Sequence, residues 1–201
     1  MDDNYRTLAR AHRAEPPKTK GSRFIASGFP FAGEERLTAE IARLRDEFPD
    51  ANHHCWAWRD GDRFRYSDDG EPSGSAGQPI LRQLDGAGVD RTAIVVTRIF
   101  GGTKLGVGGL VRAYGGATAA CLDRAEIRTV KITRKLGVEF PYEFSNPVQH
   151  YLELNELEPV EADYGEKIRF ELEVPVASYD VVAERLTSIT AGRLTLRRDQ
   201  R

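Results

Sequence analysis

The stretch TRIFGGTKLGVGGLVRAYGG, Thr97 to Gly116, holds seven of the chain's 19 glycines, together with Arg98, Lys104, Arg112 and no acidic side chain. Glycines between a strand and a helix let the chain turn and leave the first N–H groups of the helix uncovered. Beside cations, such a corner attracts phosphate or carboxylate. The spacing excludes two better-defined phosphate sites. A Walker loop needs lysine and then serine or threonine directly after its last glycine, whereas Val107 and Gly108 follow Gly106. The dinucleotide fingerprint fails because Val111 stands where its third glycine belongs. Two readings stay open: an anion site built from Arg98, Gly101, Gly102, Lys104, Gly106, Gly109 and Arg112, or a purely architectural corner.

The segment SDDGEPSGSAG offers Asp68, Asp69 and Glu71 as carboxylates and Ser73 and Ser75 as hydroxyls. A catalytic serine needs a base, and the nearest histidines in sequence are His53 and His54. Neighbours on a strand point to opposite faces, so at most one of them turns toward this loop. A turn with a helix-capping serine is therefore the preferred reading. The loop residues Asp69, Glu71, Ser73, Gly74 and Ser75 are expected beside the glycine corner, where they supply backbone donors. In the alternative of an enzyme acting on a phosphate-bearing substrate, Asp69, Glu71 or His54 are the acid–base candidates. His53, His54 and Cys55 cannot converge on one tetrahedral ion from a single strand. Neither a metal nor a cofactor is expected. His12 and His150 stand alone. Cys55 and Cys121 sit in apolar segments and read as reduced core thiols of a cytosolic protein.

The charge distribution says more than the formal net charge of −2. Residues 98–135 carry 8 basic and 2 acidic side chains, net +6, and residues 136–201 carry 7 and 13, net −6. The glycine corner thus opens a basic stretch that continues through Arg124, Arg128 and Lys131 and points to RNA. The acidic half suits a basic protein partner, or is solvated. No apolar run approaches the length of a membrane span or the core of a signal peptide, so no membrane partner is expected.

The elements that position these residues follow from periodicity. After a polar leader, SRFIASGFPF reads as a strand, and Leu37, Ile41, Leu44 and Phe48 mark an amphipathic helix. HHCWAW and DRFRYS form a hairpin turned at Asp60-Gly61, and ILRQLDGAG ends a short helix in glycine. RTAIVVTRIF is a buried central strand. A helix follows from about Val107 to Ala125. Its small residues Gly109, Ala113, Gly116 and Ala120 form a line that predicts close approach of a second backbone or of a ligand. Beyond a domain boundary near 132–138 come a strand VEFPYEF, a helix capped by Asn146, and a hairpin with a two-residue turn begun by Gly165. A helix ending at Gly192 and a strand RLTLR close the chain. That order, βαββαβ, is ferredoxin-like. The fold class is α+β, with domains 1–134 and 135–201. The face carrying Lys167, Arg169, Glu171 and Glu173, beside Glu161 and Asp163, has no aromatic residue to stack a base, which argues against an RNA-recognition sheet.

HHCWAW, YSDDGEPSGSAGQPIL and VVTRIFGGTKLGVGGLVRAYGGATAACL, in this order and spacing, resemble the Impact/YigZ family in its bacterial two-domain branch. Ile99 replaces an aromatic of the signature and Ser75 a common threonine. The resemblance implies an N-terminal domain similar to the second domain of ribosomal protein S-five and to domain IV of elongation factor G. It implies a C-terminal domain similar to domain V of that factor, and a role in translation regulation. Eukaryotic relatives restrain a starvation-activated kinase through a further N-terminal domain that this sequence does not show, so kinase regulation is not carried over. The favoured reading is a non-catalytic cytoplasmic factor that binds RNA or the ribosome through residues 98–135. A phosphate-ligand enzyme and a protein-interaction module are the alternatives.

Overall fold

The computed structural model describes residues 4–198 and is a mixed α+β structure of two compact units, Tyr5–Val130 and a second that runs from Lys131. The first is built on an antiparallel five-stranded sheet, β2 (His12–Ala14), β3 (Arg23–Pro30), β6 (Thr92–Ile99), β4 (His53–Asp60) and β5 (Arg63–Ser67), in that spatial order. Helices α2 (Gly77–Ala87) and α3 (Val107–Leu122) cover one face, and α1 (Glu34–Glu47) the other. This explains the unbroken apolar run of β6. Ile94 and Val96 enter the core beneath α2 and α3, while Ala93 and Val95 enter the core with Leu37 and Leu44 of α1. The same alternation on β4 sends Cys55 and Ala57 to the first core and Trp58 to the second.

Two short strands, β1 (Asn4–Leu8) and β7 (Ile127–Lys131), pair with each other. Strands β1 and β2 replace the expected polar leader, and β7 lies between α3 and the expected boundary near 132–138. In the second unit, β8 (Thr133–Phe140), β9 (Pro159–Tyr164), β10 (Ile168–Pro175) and β11 (Thr195–Arg198) form an antiparallel sheet in the order β11-β8-β10-β9. Helices α4 (Ser145–Leu154) and α5 (Tyr179–Ile189) contribute Val148, Leu152, Val182 and Leu186 to its one core. Strict alternation on β10 buries Ile168, Phe170, Leu172 and Val174 there. Three local expectations change. Strand β8 starts before Val138, and Tyr142–Phe144 is a single 3-10 turn feeding α4. Asn146 lies inside that helix instead of capping it. The β9–β10 loop has three residues, Gly165 to Lys167, because the strands end at Tyr164 and Ile168.

Candidate functional site

Register brings His53 of β4 opposite Arg98 of β6, at the end of the sheet where the glycine corner leaves it. Both share the face of Cys55 and Val96, toward α3. The loop between β5 and α2 folds over them and places Glu71 underneath, 9% exposed. Glu71 Oε1 accepts from Arg98 Nη1 at 2.6 Å and from the Tyr114 hydroxyl at 2.8 Å, with His53 Nε2 3.9 Å away. The Arg98 guanidinium lies over the rings of Phe24 and Phe100, 5.6 Å from each centroid. A charge removed from water has to be paired, and here each of the two ions pairs with the other, while the fully buried Arg98 Nε lacks a hydrogen-bond partner. This ion pair is a strut between sheet, loop and α3. Arg98, expected to touch phosphate, is 6% exposed and bound to Glu71, so it is not a surface cation.

The loop is held by its own acids. Asp68 accepts from the backbone N–H groups of Gly74, Ala76 and Gly77 at 2.8, 3.0 and 2.8 Å, and so caps α2 from eight to nine residues upstream. The expected serine cap does not form. Ser75 is fully buried and donates to the Pro72 carbonyl at 2.6 Å, and Ser73 is exposed. Asp69, at φ 43, accepts from the His54 N–H at 2.6 Å. Its carbonyl accepts from His53 Nδ1 at 2.7 Å, so that nitrogen carries a proton. His54 points to the opposite face, beside Thr97 Oγ1 at 3.1 Å, and burial lowers its pKa. The Cys55 thiol donates to the Asp68 carbonyl at 3.0 Å; burial pushes it far above the ordinary thiol range, and Cys121 up to about 11. Both are free thiols held neutral and unreactive.

At the corner itself, Phe100 N–H donates to Asn52 Oδ1 at 2.8 Å and Gly101 N–H to Ser22 Oγ at 3.1 Å. Gly101 lies against the backbone of Gly21 and Ser22, where an added Cβ would sit 1.9–2.3 Å from their atoms. Two corner amides are thus spent on the protein. Gly102 (φ 85) and Gly106 (φ 72) turn the chain into α3, and Gly109 packs on Leu105 of the same turn. Lys104 and Arg112 are exposed. Arg124, Arg128 and Lys131, also exposed, follow the far end of a 16-residue helix, about 24 Å long at 1.5 Å per residue. The basic stretch therefore divides between the two ends of α3. Among the described residues, no acid lies within ion-pair distance of Lys104, Arg112, Arg124 or Arg128; the nearby Glu126 is taken by Arg10.

The line of small residues on α3 does not mark a close approach of backbone to backbone. Gly116 is exposed with no atom within 4 Å of an added Cβ, and Ala113 and Ala120 are half-buried. The packed face instead runs through Leu110, Tyr114, Ala117 and Cys121. Reasoning from the sequence also missed the Glu71–Arg98–Tyr114 network, because β4–β6 register is not written in either strand alone. Its one trace in the sequence is Arg98, the single charge of the apolar run that became β6.

In the second unit, the open sheet face forms a hollow of about 490 Å³ lined by Lys135, Glu139, Glu161, Asp163, Arg169 and Arg197, among others. Glu139 meets Arg169 at 2.9 Å, Lys167 at 3.1 Å and Arg197 at 3.8 Å, while Lys135 pairs with Glu171. Guanidinium and ammonium hydrogen bonds from Lys167 and Arg169 hold the Glu139 carboxyl below its usual range. The acidity read from β10 and β9 is thus paired in part, Glu171 with Lys135 of β8 and Asp163 with Arg169 of β10 itself at 3.7 Å.

Residues 20–122 match the Impact N-terminal domain, and residues 138–193 match a domain of unknown function, DUF1949. A Thermus thermophilus protein described as an IMPACT family member in the pol 5′ region is 40% identical over 86% of this chain and 96% of its own. The Escherichia coli K12 IMPACT family member YigZ is 34% identical over 88% of this chain and 89% of its own. A crystal structure of a hypothetical protein superposes with a TM-score of 0.72 at 30% identity, covering 100% of this chain and 99% of that one.

Proposed function

The chain belongs to the Impact family, and we propose that it is a non-catalytic, translation-associated factor of the cytoplasm that binds RNA, free or on the ribosome, through its N-terminal unit. One observation carries this reading. Lys104, Arg112, Arg124 and Arg128 are exposed and lack acidic partners among the described residues, whereas most other arginines of this unit are ion-paired. Unneutralised cations are what a phosphate backbone recognises. Lys131 begins the second unit and is left out of the surface.

The enzyme alternative has less support, since each acid–base candidate is engaged: Glu71 with Arg98 and Tyr114, Asp69 with the His54 amide, His54 with Thr97. A protein-interaction role for the open sheet of the second unit is weakened by its internal ion pairs. The element order and sheet order of that unit favour a ferredoxin-like domain, resembling domain V of elongation factor G. For the N-terminal unit we adopt the likeness to the second domain of ribosomal protein S-five. Reduced, buried cysteines favour the cytoplasm, and no helix among the described residues is long and apolar enough to cross a membrane.

Co-sedimentation with purified ribosomes and their subunits tests the reading. The wild-type chain is expected to pellet at low salt and to be released as salt rises, and Lys104→Ala/Arg112→Ala to remain largely in the supernatant. Pelleting by the double variant equal to wild type would remove the proposed surface.

A further inference from the structure

We infer that Phe100 is a stacking platform for one base of a single-stranded RNA, which deepens the RNA reading above and rests on it. Phe100 is the corner's exposed aromatic, 44% accessible, four residues before the unpaired Lys104. Its ring has the Arg98 guanidinium over it at 5.6 Å, and Arg98 is in turn fixed by Glu71. The ring therefore rests on a buried cation, and its accessible surface is left to solvent. The backbone beneath is fixed as well, because the Phe100 amide is bound by Asn52 and Gly101 is locked against Gly21. A ring held this way loses little freedom when a flat partner settles on it. Aromatic platforms beside unneutralised cations are how single strands are held without reading their sequence; stacked duplex bases cannot reach such a ring.

The other exposed aromatics of this unit lack that setting. Phe64 (50% accessible) and Tyr66 lie on β5; Arg59 of β4, over the Phe64 ring at 5.8 Å, is paired with Asp85, and Arg63 and Arg65 of β5 are paired with Asp60 and Glu34. These arginines are each ion-paired, unlike Lys104, which makes Phe64 the matched control.

The experiment measures binding of a labelled ten-nucleotide single-stranded RNA to the full chain by fluorescence anisotropy, with salt as the second variable. Phe100→Leu is expected to weaken binding about 10-fold, in the range of one lost base stack, without changing the salt slope. Lys104→Ala is expected to reduce the slope by about 0.7, one phosphate contact on a single strand. Phe100→Trp should keep the wild-type affinity, and its added fluorescence should be quenched as RNA binds. Phe64→Leu should bind as wild type, and a duplex of the same length should be indifferent to Phe100→Leu. Affinity of Phe100→Leu within twofold of wild type, or no added quenching in the Phe100→Trp chain, would overturn the stacking role while Lys104→Ala still reports on the RNA reading. No binding by the wild-type chain at low salt would overturn both. A loss in Phe64→Leu equal to that in Phe100→Leu would show non-specific apolar contact and also overturn the role.

Discussion

Replacing Arg98 with methionine is expected to destabilise the N-terminal unit by about 3–5 kcal/mol, the cost of leaving one partner of a buried ion pair uncompensated. The Glu71 side chain is only 4% accessible, so water cannot replace the lost guanidinium. Tyr114 alone would remain as a donor at Oε1. For a unit of this size the loss corresponds to a melting temperature lower by about 10–20 °C. Methionine keeps much of the contact with Phe24 and Phe100, which separates charge from packing. Adding Glu71→Gln should recover at least half of the lost stability, because the amide oxygen still accepts from Tyr114 and no charge is left buried. Urea unfolding of the wild-type chain and both variants gives the comparison. A single-variant loss under about 1 kcal/mol would mean that the pair is not a strut. A double variant no better than the single would assign the loss to packing. Arg98 is not on the surface, so the RNA salt slope should not change in folded Arg98→Met.

Two glycine-to-alanine replacements in the same signature are expected to act in opposite directions. Gly101→Ala would push a methyl group against the backbone of Gly21 and Ser22, with 1.9 Å to the nearest atom. Backbone cannot rotate aside as a side chain does, so β3's entry and the corner must separate, at a cost of about 3 kcal/mol or more. Gly116→Ala meets nothing within 4 Å, on the exposed face of α3. It should raise stability by up to about 1 kcal/mol, the helix-interior difference between the two residues. Thermal unfolding of the two variants side by side shows whether the signature glycines serve one purpose or two. Equal destabilisation by both would contradict the packing described for α3.

What the sequence revealed, and what it hid, follows from how local each cause is. Strand β6 was plain because a strand buried on both faces has to be apolar throughout, and β10 because a strand buried on one face alternates. The glycine corner was legible as a turn from composition alone. Strands β1, β2 and β7 were not, since five, three and five polar-rich residues become strands only through partners distant in the chain. The same holds for the site. Arg98 looked like a surface cation until pairing with β4 and the fold of the loop put Glu71 under it. Asp68 acts eight to nine residues from the amides it caps, beyond the reach of any local capping rule. On α3 the small residues had helical spacing, but spacing gives the period of a face and not its direction. Leu110, Tyr114 and Cys121 set that direction by packing on the sheet.

On the proposed reading, Lys104, Arg112, Arg124 and Arg128 meet phosphates and Arg98 does not. The salt dependence of single-stranded RNA binding by the wild-type chain tests it most directly. Four phosphate contacts predict that log affinity falls against log salt with a slope of about −2.8, at about 0.7 per phosphate. A slope near −1, or no binding at low salt, would exclude these four cations as a phosphate-binding surface.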